Sequence, residues 1–344
     1  MFSDLTFGEL QDYVKSLALP TFRAEQIFDA VYSGKKLEEI SNLPKGIKEI
    51  IAKDYPKYEI AKKFVSKDGT EKYIIRLYDG NIVECVLMKY KYGYTICLST
   101  QVGCRMGCKF CASTLGGRVR NLSAGEILAP IILVNREKGG SLKDRKITNV
   151  VLMGSGEPLD NYDNVVKFLN LVSSQKGFNI SERNISLSTC GIVDKIYALA
   201  DLEKSITLTI SLHATTDEKR REIMPIANKY SIADILKACK YYFNKTGRKI
   251  YFEYTLIKGI NDRDEDADNL ARLLKGLLCH VNLIPLNPVK ERTLVSTGRL
   301  FAYKFMDKLK EKGVSATVRR TMGEDIEGAC GQLRNKILEE EGNA

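Results

Sequence analysis

The sequence lacks any long apolar run, internal repeat or low-complexity segment. Its longest apolar stretch, residues 127–134, is far shorter than the roughly 20 residues that a membrane-spanning helix needs. Residues 1–5 lack the basic stretch and following apolar segment of a secretory leader. We therefore expect a soluble, cytoplasmic protein without a membrane partner.

Histidine is scarce, with two residues in the chain, whereas there are nine cysteines. Cytoplasmic thiols stay mostly reduced, so we expect these cysteines to bind metal or take part in chemistry rather than cross-link the fold. A composition with 44% hydrophobic and 28% charged residues is typical of an ordinary globular protein. The net charge of +10 favours a polyanionic partner such as RNA or DNA.

Three regions differ in their apolar periodicity. Residues 1–56 have a helical period and predict a small accessory domain. In residues 57–92, apolar and polar residues alternate with a period of two, and Asp79 and Gly80 supply a turn. This pattern predicts a β-hairpin linker region. Residues 93–344 alternate short apolar runs with longer helical patterns, as in an α/β fold with a parallel sheet wrapped by helices.

The third region contains six predicted strands, then a last strand near 314–319 and a C-terminal helical tail. Ser123 and Glu126 have the spacing of a capping box, which marks a helix start. Six β/α units favour a partial (β/α)6 barrel over a doubly wound sheet, two folds that periodicity alone separates poorly. The six strands are predicted near residues 95–100, 147–153, 183–188, 206–212, 250–256 and 280–285.

The strongest local signal is a C-x₃-C-x₂-C loop made of Cys104, Cys108 and Cys111, directly after the first predicted barrel strand. A structural zinc site takes four protein ligands, and the sequence has no second close cysteine pair. Three thiolates better suit a 4Fe-4S cluster, in which one iron stays open to a small molecule. We therefore predict such a cluster, with zinc as the alternative.

Other segments extend this signal along most of the chain: Val102–Cys104, Met153–Pro158, Ser188–Thr189, Ser211–His213, Asn282–Pro288 and Ala329–Leu333. The cysteine loop, with Phe110 before its last cysteine, resembles the radical S-adenosylmethionine enzymes. Together with the other segments, the loop resembles the RlmN type of that superfamily, the rRNA and tRNA adenine carbon-2 methyltransferases. Ser155 departs from the family pattern, in which methionine is usual.

The resemblance implies a set of cofactor contacts. It places the cluster on Cys104, Cys108 and Cys111. It also places His213 among the contacts of S-adenosylmethionine rather than in the role of a proton shuttle. The full set of residues expected to bind S-adenosylmethionine is Gly156, Glu157, Ser188, Ser211, Leu212, His213 and Asn287.

The resemblance also implies three catalytic residues. Glu84 has the position of the family's general base, although its strand pattern alone predicts solvent exposure. Cys330, in a loop with Gly328 and Gly331, would carry a methyl group as a covalent intermediate. Cys97 would resolve the protein–RNA adduct by disulfide formation.

In the implied reaction, two molecules of S-adenosylmethionine are used in each turnover. The first methylates Cys330, and the second yields a 5′-deoxyadenosyl radical that takes hydrogen from the new methyl group. The resulting carbon radical adds to adenine, Glu84 removes the carbon-2 proton, and Cys97 attacks sulfur. We expect adenosine 2503 of 23S rRNA and adenosine 37 of tRNA as substrates. A monomer that takes electrons from flavodoxin or ferredoxin is expected.

Candidate RNA contacts combine cations with tyrosines that can stack on bases. They are residues 89–94, Arg118, Arg120, Arg319 and Arg320. A solvated hairpin edge is the alternative explanation for residues 89–94.

Two other functions compete with adenine carbon-2 methylation. Related carbon-8 methylating enzymes that confer antibiotic resistance share the cluster and the catalytic residues, but Pro158 and Pro285 favour the carbon-2 type. A non-catalytic iron–sulfur or zinc RNA-binding protein would leave Glu157, Cys97 and Cys330 without a role.

Overall fold

The computed structural model describes residues 1–333. Residues 320–333 form a loop with one short 3-10 turn, Glu324–Ile326, and the rest of the predicted helical tail lies outside the described residues. The strands are β1 (Glu59–Val65), β2 (Glu71–Arg76), β3 (Ile82–Tyr90), β4 (Gly93–Cys97), β5 (Gln101–Gly103), β6 (Arg118–Asn121), β7 (Ile147–Leu152), β8 (Ile185–Thr189), β9 (Thr207–Ser211), β10 (Ile250–Leu256), β11 (Cys279–Pro285) and β12 (Ala316–Val318).

Ten of these strands form one sheet in the order β1-β2-β3-β4-β7-β8-β9-β10-β11-β12. The last seven strands in this order run parallel and correspond to the six predicted barrel strands and the predicted last strand. Since β1 and β12 are the two edges and do not pair with each other, the sheet stays open. The predicted α/β fold with a partial barrel is confirmed.

The predicted hairpin region extends the main sheet. Strands β1, β2 and β3 are antiparallel, and β3 continues the sheet by pairing with β4, where Val86 lies opposite Cys97. Most of β3 is buried, so its backbone groups need partners on both sides. The pairing with β4 supplies them and brings this region to the barrel mouth.

The helices are α1 (Phe7–Ser16), α2 (Phe22–Tyr32), α3 (Lys45–Ile51), α4 (Ala124–Glu137), α5 (Tyr162–Ser173), α6 (Val193–Asp201), α7 (Asp217–Ile223), α8 (Ile232–Thr246), α9 (Asp264–Leu274) and α10 (Arg299–Glu311). The capping box predicted at Ser123 is confirmed: its hydroxyl accepts a bond from the Glu126 N–H at the start of α4. None of the described helices is long and apolar enough to cross a membrane.

The three N-terminal helices pack on the barrel. Asp4 accepts a hydrogen bond from the Gly125 N–H at the start of α4, at 2.7 Å. Buried apolar residues of α1, α2 and the barrel belong to one continuous hydrophobic core. The accessory boundary at residue 56 stays a prediction. The functional side chains lie beyond the carboxyl ends of the parallel strands, where enzymes with β/α barrels place their active sites.

Candidate active site

Two neighbouring cavities open where the parallel strands end. Cavity A is bordered by the cysteine loop, residues 104–111, and by residues that end β7 to β10. Cavity B is bordered by β3, β4 and residues 317–322. Five residues line both cavities and form the wall between them: Met153, Ile284, Asn287, Cys330 and Leu333. Cys330 is therefore part of this wall.

The cysteine loop is held by a short ribbon made of β5 and β6. The Cys104 N–H donates to the carbonyl of Gly117 at 2.9 Å. Gly103 has φ +74°, and a Cβ atom there would collide with that same carbonyl. Within the loop, the Lys109 N–H donates to the Ile223 carbonyl at the end of α7, at 2.9 Å. The loop is thus held at its start by the segment between β5 and β6 and near its end by α7.

All three thiols of the loop line cavity A. Burial raises the pKa of Cys104 to about 12 and also raises the pKa of Cys108 and Cys111. Within residues 1–333, no set of three or more His, Cys, Asp or Glu side chains is arranged to hold a metal ion. Three thiols around one cavity nevertheless supply the soft donor set that an iron–sulfur cluster takes, and binding would displace their protons.

Gly156 and Glu157 form one wall of cavity A. Gly156 has φ +105°, and a Cβ atom there would lie 2.7 Å from Cβ of Gln101, so only glycine fits. The buried Glu157 carboxylate accepts bonds from the backbone N–H groups of Cys190, at 2.7 Å, and Leu159, at 3.0 Å. Because each carboxylate oxygen has two lone pairs, these bonds orient the group and leave acceptor capacity for a ligand.

Ser188, Ser211 and His213 also line cavity A. The two serine hydroxyls are 3.3 Å apart at the ends of β8 and β9. His213 has φ +56°, and its Nδ1 accepts a bond from the Thr255 N–H at 2.9 Å. Burial and the charge of Arg220 lower the pKa of His213 to about 3. The ring is therefore neutral near pH 7, with its proton on Nε2, which suits a fixed hydrogen-bond donor better than a proton shuttle.

Leu212 differs from the other predicted cofactor contacts. Its side chain is fully buried, and it is not among the residues that line cavity A. Asn287 does line the cavity, and its amide also donates to the carbonyl of Cys330 at 3.0 Å. Ser155, the departure from the family pattern, is buried, and its hydroxyl has no hydrogen-bond partner.

The exposed Cys330 sits on a loop that the rest of the site holds in place. Besides the bond from Asn287, the Gly331 carbonyl accepts from the Ala112 N–H, next to the cysteine loop, at 2.7 Å. Gln332 donates to the Pro288 carbonyl at 2.9 Å, beyond the end of β11. The chain around Cys330 is thus bonded both to the cysteine loop and to the barrel.

Cys97 ends β4 and lines cavity B together with Cys330. Burial raises the pKa of Cys97 to about 12, and the positive charge of Arg319 acts in the opposite direction. Arg319 also lines cavity B and forms an ion pair with Glu253 at 2.6 Å. Both cysteines are free thiols, so their predicted disulfide stays a prediction for a later step of the reaction.

Glu84 is buried, so the solvent exposure that its strand pattern predicts is wrong. Its carboxylate lies 3.2 Å from the ammonium group of Lys72, which is also buried. Glu84 lies two residues before Val86 on β3, so the two side chains share one face of the sheet. Val86 lines cavity B, whereas Glu84 lines neither cavity.

The predicted RNA contacts fall into two groups. Tyr90, Arg319 and Arg320 line cavity B, and the Tyr90 ring stacks on the exposed ring of Tyr92 with 5.1 Å between centroids. The other two arginines form internal ion pairs away from this rim, Arg118 with Asp160 and Arg120 with Asp79 and Glu126.

Two buried cations near the site, Lys72 and Arg220, were not predicted from the sequence. The hairpin pattern could have indicated the position of Lys72, because the register of β2 and β3 places Lys72 opposite Val86 and thus diagonal to Glu84. Arg220 lies in a run of charged residues that is typical of a solvated helix face, so nothing in the sequence indicates its burial.

Comparison with known proteins agrees with this geometry. The Radical SAM superfamily model matches residues 98–274. A Clostridium perfringens protein named probable dual-specificity RNA methyltransferase RlmN is 54% identical over 353 residues, which cover 98% of each chain. A Clostridium botulinum protein of that name is 55% identical over 97% of this chain and 96% of its own. The crystal structure of a radical SAM methyltransferase from Sphaerobacter thermophilus is 39% identical, with a TM-score of 0.92 over 97% of this chain and 99% of that one. The chain therefore belongs to the radical SAM superfamily and, within it, to the RlmN family of RNA methyltransferases.

Proposed function

We propose that this RNA methyltransferase acts on carbon 2 of adenine, at adenosine 2503 of 23S rRNA and adenosine 37 of tRNA. The observation that carries the proposal is the position of Cys330 in the wall between cavities A and B. A methyl group on this thiol would face a cofactor site on one side and a site for an adenine on the other. To enter cavity B, the target base has to leave its stack.

The chemistry of carbon 2 explains why two cavities are needed. This carbon lies between two ring nitrogens and is electron-poor, so it cannot displace a methyl group from a sulfonium directly. The superfamily implies a 4Fe-4S cluster and S-adenosylmethionine, and a bound cluster would supply the electron for the cleavage of S-adenosylmethionine that starts the radical chemistry. Cys104, Cys108 and Cys111 would hold the cluster, and flavodoxin or ferredoxin would supply the electron.

The polar residues of cavity A would orient S-adenosylmethionine. Glu157 would accept bonds from its ammonium group, since both of its carboxylate oxygens are held in place by backbone N–H groups. Ser188, Ser211 and Asn287 supply hydroxyl and amide groups, and His213 supplies an Nε2 donor, for its carboxylate and ribose. Two molecules would be used in each turnover, one for the methyl group of Cys330 and one for the radical.

The two thiols of cavity B would have different tasks. Cys330, exposed on its loop, would accept the methyl group, and the carbon of that group would form the bond to adenine. Once the adduct has lost the carbon-2 proton and given its unpaired electron back to the oxidised cluster, Cys97 on β4 would attack the Cys330 sulfur. The carbon–sulfur bond then breaks with its electron pair on the methylene carbon, which takes a proton to become the methyl group, and the two sulfurs form a disulfide. Burial raises the pKa of Cys97 and the Arg319 charge offsets part of that rise, so Arg319 is the group in cavity B that would assist formation of the thiolate.

Glu84 would remove the carbon-2 proton. The Lys72 ammonium favours the ionised carboxylate that a base needs, because an opposite charge within about 4 Å stabilises it. Glu84 lines neither cavity, whereas Val86 on the same face of β3 lines cavity B, so proton transfer to Glu84 requires a bridging water or a rotamer change. Lys72 also donates to the Glu327 carbonyl at 3.4 Å, which connects this ion pair to the loop of Cys330.

Mass spectrometry of nucleosides from rRNA and tRNA tests the function directly. RNA from cells with the gene should contain 2-methyladenosine that is absent from cells without it, and the purified enzyme should restore this nucleoside in RNA from the deleted strain. Nuclease mapping locates the modified positions. Appearance of 8-methyladenosine, or no difference between the two strains, would contradict the proposal.

RNA affinity tests the rim of cavity B. Tyr92→Ala should weaken RNA binding by about 5- to 150-fold, because stacking of one base on an aromatic ring contributes about 1–3 kcal/mol. The measurement is fluorescence anisotropy with a labelled RNA hairpin at several salt concentrations, and the affinity of both proteins should fall as salt rises. Tyr303→Ala on α10 is the matched control. Both tyrosines are exposed and neither lines a cavity, but the Tyr92 ring stacks on Tyr90, which lines cavity B. Equal affinities of the two variants would show that Tyr92 does not stack on RNA.

A further inference from the structure

Arg220 on α7 has the largest side chain among the fully buried residues that the structure describes. Its guanidinium points away from solvent toward the ends of β8 and β9. Nη2 donates to the carbonyl of Cys190, at 2.6 Å, and to that of Ser211, at 3.2 Å. Nε donates to the carbonyl of Leu212 at 3.1 Å. These bonds fix the orientation of a permanently charged group inside the protein.

No carboxylate of the described residues is in ion-pair contact with Arg220, and Asp217, at the start of α7, acts on its charge only from a distance. Among residues 1–333, Arg220 forms no ion pair, and its Nη1 atom has no hydrogen-bond partner. Carbonyl oxygens offer dipoles but no net charge. Since a buried charge is costly unless it is paired, this site suits an additional anion.

The surroundings of Arg220 indicate where that anion lies. The α7 helix ends on the cysteine loop, where the Ile223 carbonyl accepts the Lys109 N–H. The side chains of Cys108, Cys190 and Ile223 belong to one buried group beside cavity A. The Cys190 peptide that binds Arg220 through its carbonyl also binds Glu157 through its N–H. Arg220 is therefore next to the space that the cysteine loop encloses.

We propose that Arg220 is a positioning residue whose buried charge compensates the negative charge of an iron–sulfur cluster bound to the three thiolates of the cysteine loop. This inference rests on the cluster ligands of the proposed function. Reduction of the cluster by one electron from dithionite, or from a flavodoxin or ferredoxin, adds one negative charge. A fixed cation beside the cluster stabilises the reduced form more than the oxidised form and therefore raises the reduction potential.

A redox titration followed by electron paramagnetic resonance tests this inference on the anaerobically reconstituted full-length protein. Arg220→Met should lower the reduced-to-oxidised ratio at a given potential at least tenfold, which for a one-electron couple corresponds to a shift of the midpoint by about 59 mV to more negative values. Arg220→Lys keeps the charge and should stay close to the wild type. Arg248→Met is the matched control, because Arg248 binds Thr207 at the opposite end of the strands.

Iron and sulfide content is measured for every variant. An unchanged midpoint in Arg220→Met with full iron and sulfide would overturn the inference, as would equal shifts in the methionine and lysine variants. If the methionine variant does not retain iron, iron retention itself becomes the readout: retention by Arg220→Lys supports a role of charge, and loss in both variants contradicts it. Wild-type protein that holds the cluster but methylates no RNA would defeat the proposed function and leave this inference standing.

Discussion

Replacing Cys330 with alanine is expected to abolish RNA methylation, with a loss of at least about 10⁴-fold, the order found when a covalent nucleophile is removed. Within the described residues, no other thiol lines both cavities, so none can take the methyl group on one side and present it on the other. The side chain of Cys330 is exposed, and removing its sulfur leaves no cavity in the core. Transfer of a labelled methyl group to protein and to RNA is measured under anaerobic conditions.

The matched control for this variant is Cys279→Ala. Cys279 begins β11 at the opposite end of the barrel and lines neither cavity, so this variant should methylate RNA like the wild type. Peptide mass spectrometry of the wild-type protein should find the methyl group on Cys330. Methylated RNA from the Cys330 variant, or a methyl group on a different cysteine, would show that the thiol in the wall is not the acceptor.

The cysteine loop and the strand ends could be predicted from the sequence because each is a local pattern. The thiols of Cys104, Cys108 and Cys111 are a few residues apart, and the loop directly follows a strand, so they line one cavity. Hydrophobic period and turn residues placed the parallel strands within a few residues of their observed bounds. The β5–β6 ribbon was not predicted, since strands of three and four residues show no measurable period.

Distant contacts could not be predicted in this way. The pairing of β3 with β4 aligns Val86 with Cys97, and the loop of Cys330 reaches the same cavity from the other end of the chain. The exposure of Glu84 was predicted wrongly, because an alternation of apolar and polar residues indicates exposure only where one face of the sheet is in contact with solvent. Here that face is covered, and Lys72 on the neighbouring strand provides the opposite charge. Whether such a face is covered depends on the packing of remote segments.

Replacing Cys97 with alanine is expected to stop turnover at a later stage than the Cys330 variant. Cys330 and cavity A stay intact, so the thiol should still be methylated, and the methyl carbon should still become bonded to adenine. The thiolate that attacks the Cys330 sulfur is missing, so the carbon–sulfur bond of the adduct cannot be broken by disulfide formation. A covalent protein–RNA adduct should then accumulate toward one RNA per active protein.

Denaturing gel electrophoresis after anaerobic reaction with labelled RNA shows this adduct as a band that survives denaturation and disappears on nuclease treatment. The Cys97→Ala variant should show it, and the Cys97→Ala/Cys330→Ala double variant should not, because the second change removes the sulfur that forms the bond. Cys85→Ala is the control for loss of a buried thiol, since Cys85 is on β3 and lines neither cavity. Normal turnover by Cys97→Ala would mean that another group resolves the adduct, and a band in the double variant would mean that RNA is attached elsewhere. Either result would contradict the roles proposed for Cys97 and Cys330 from their positions in cavity B.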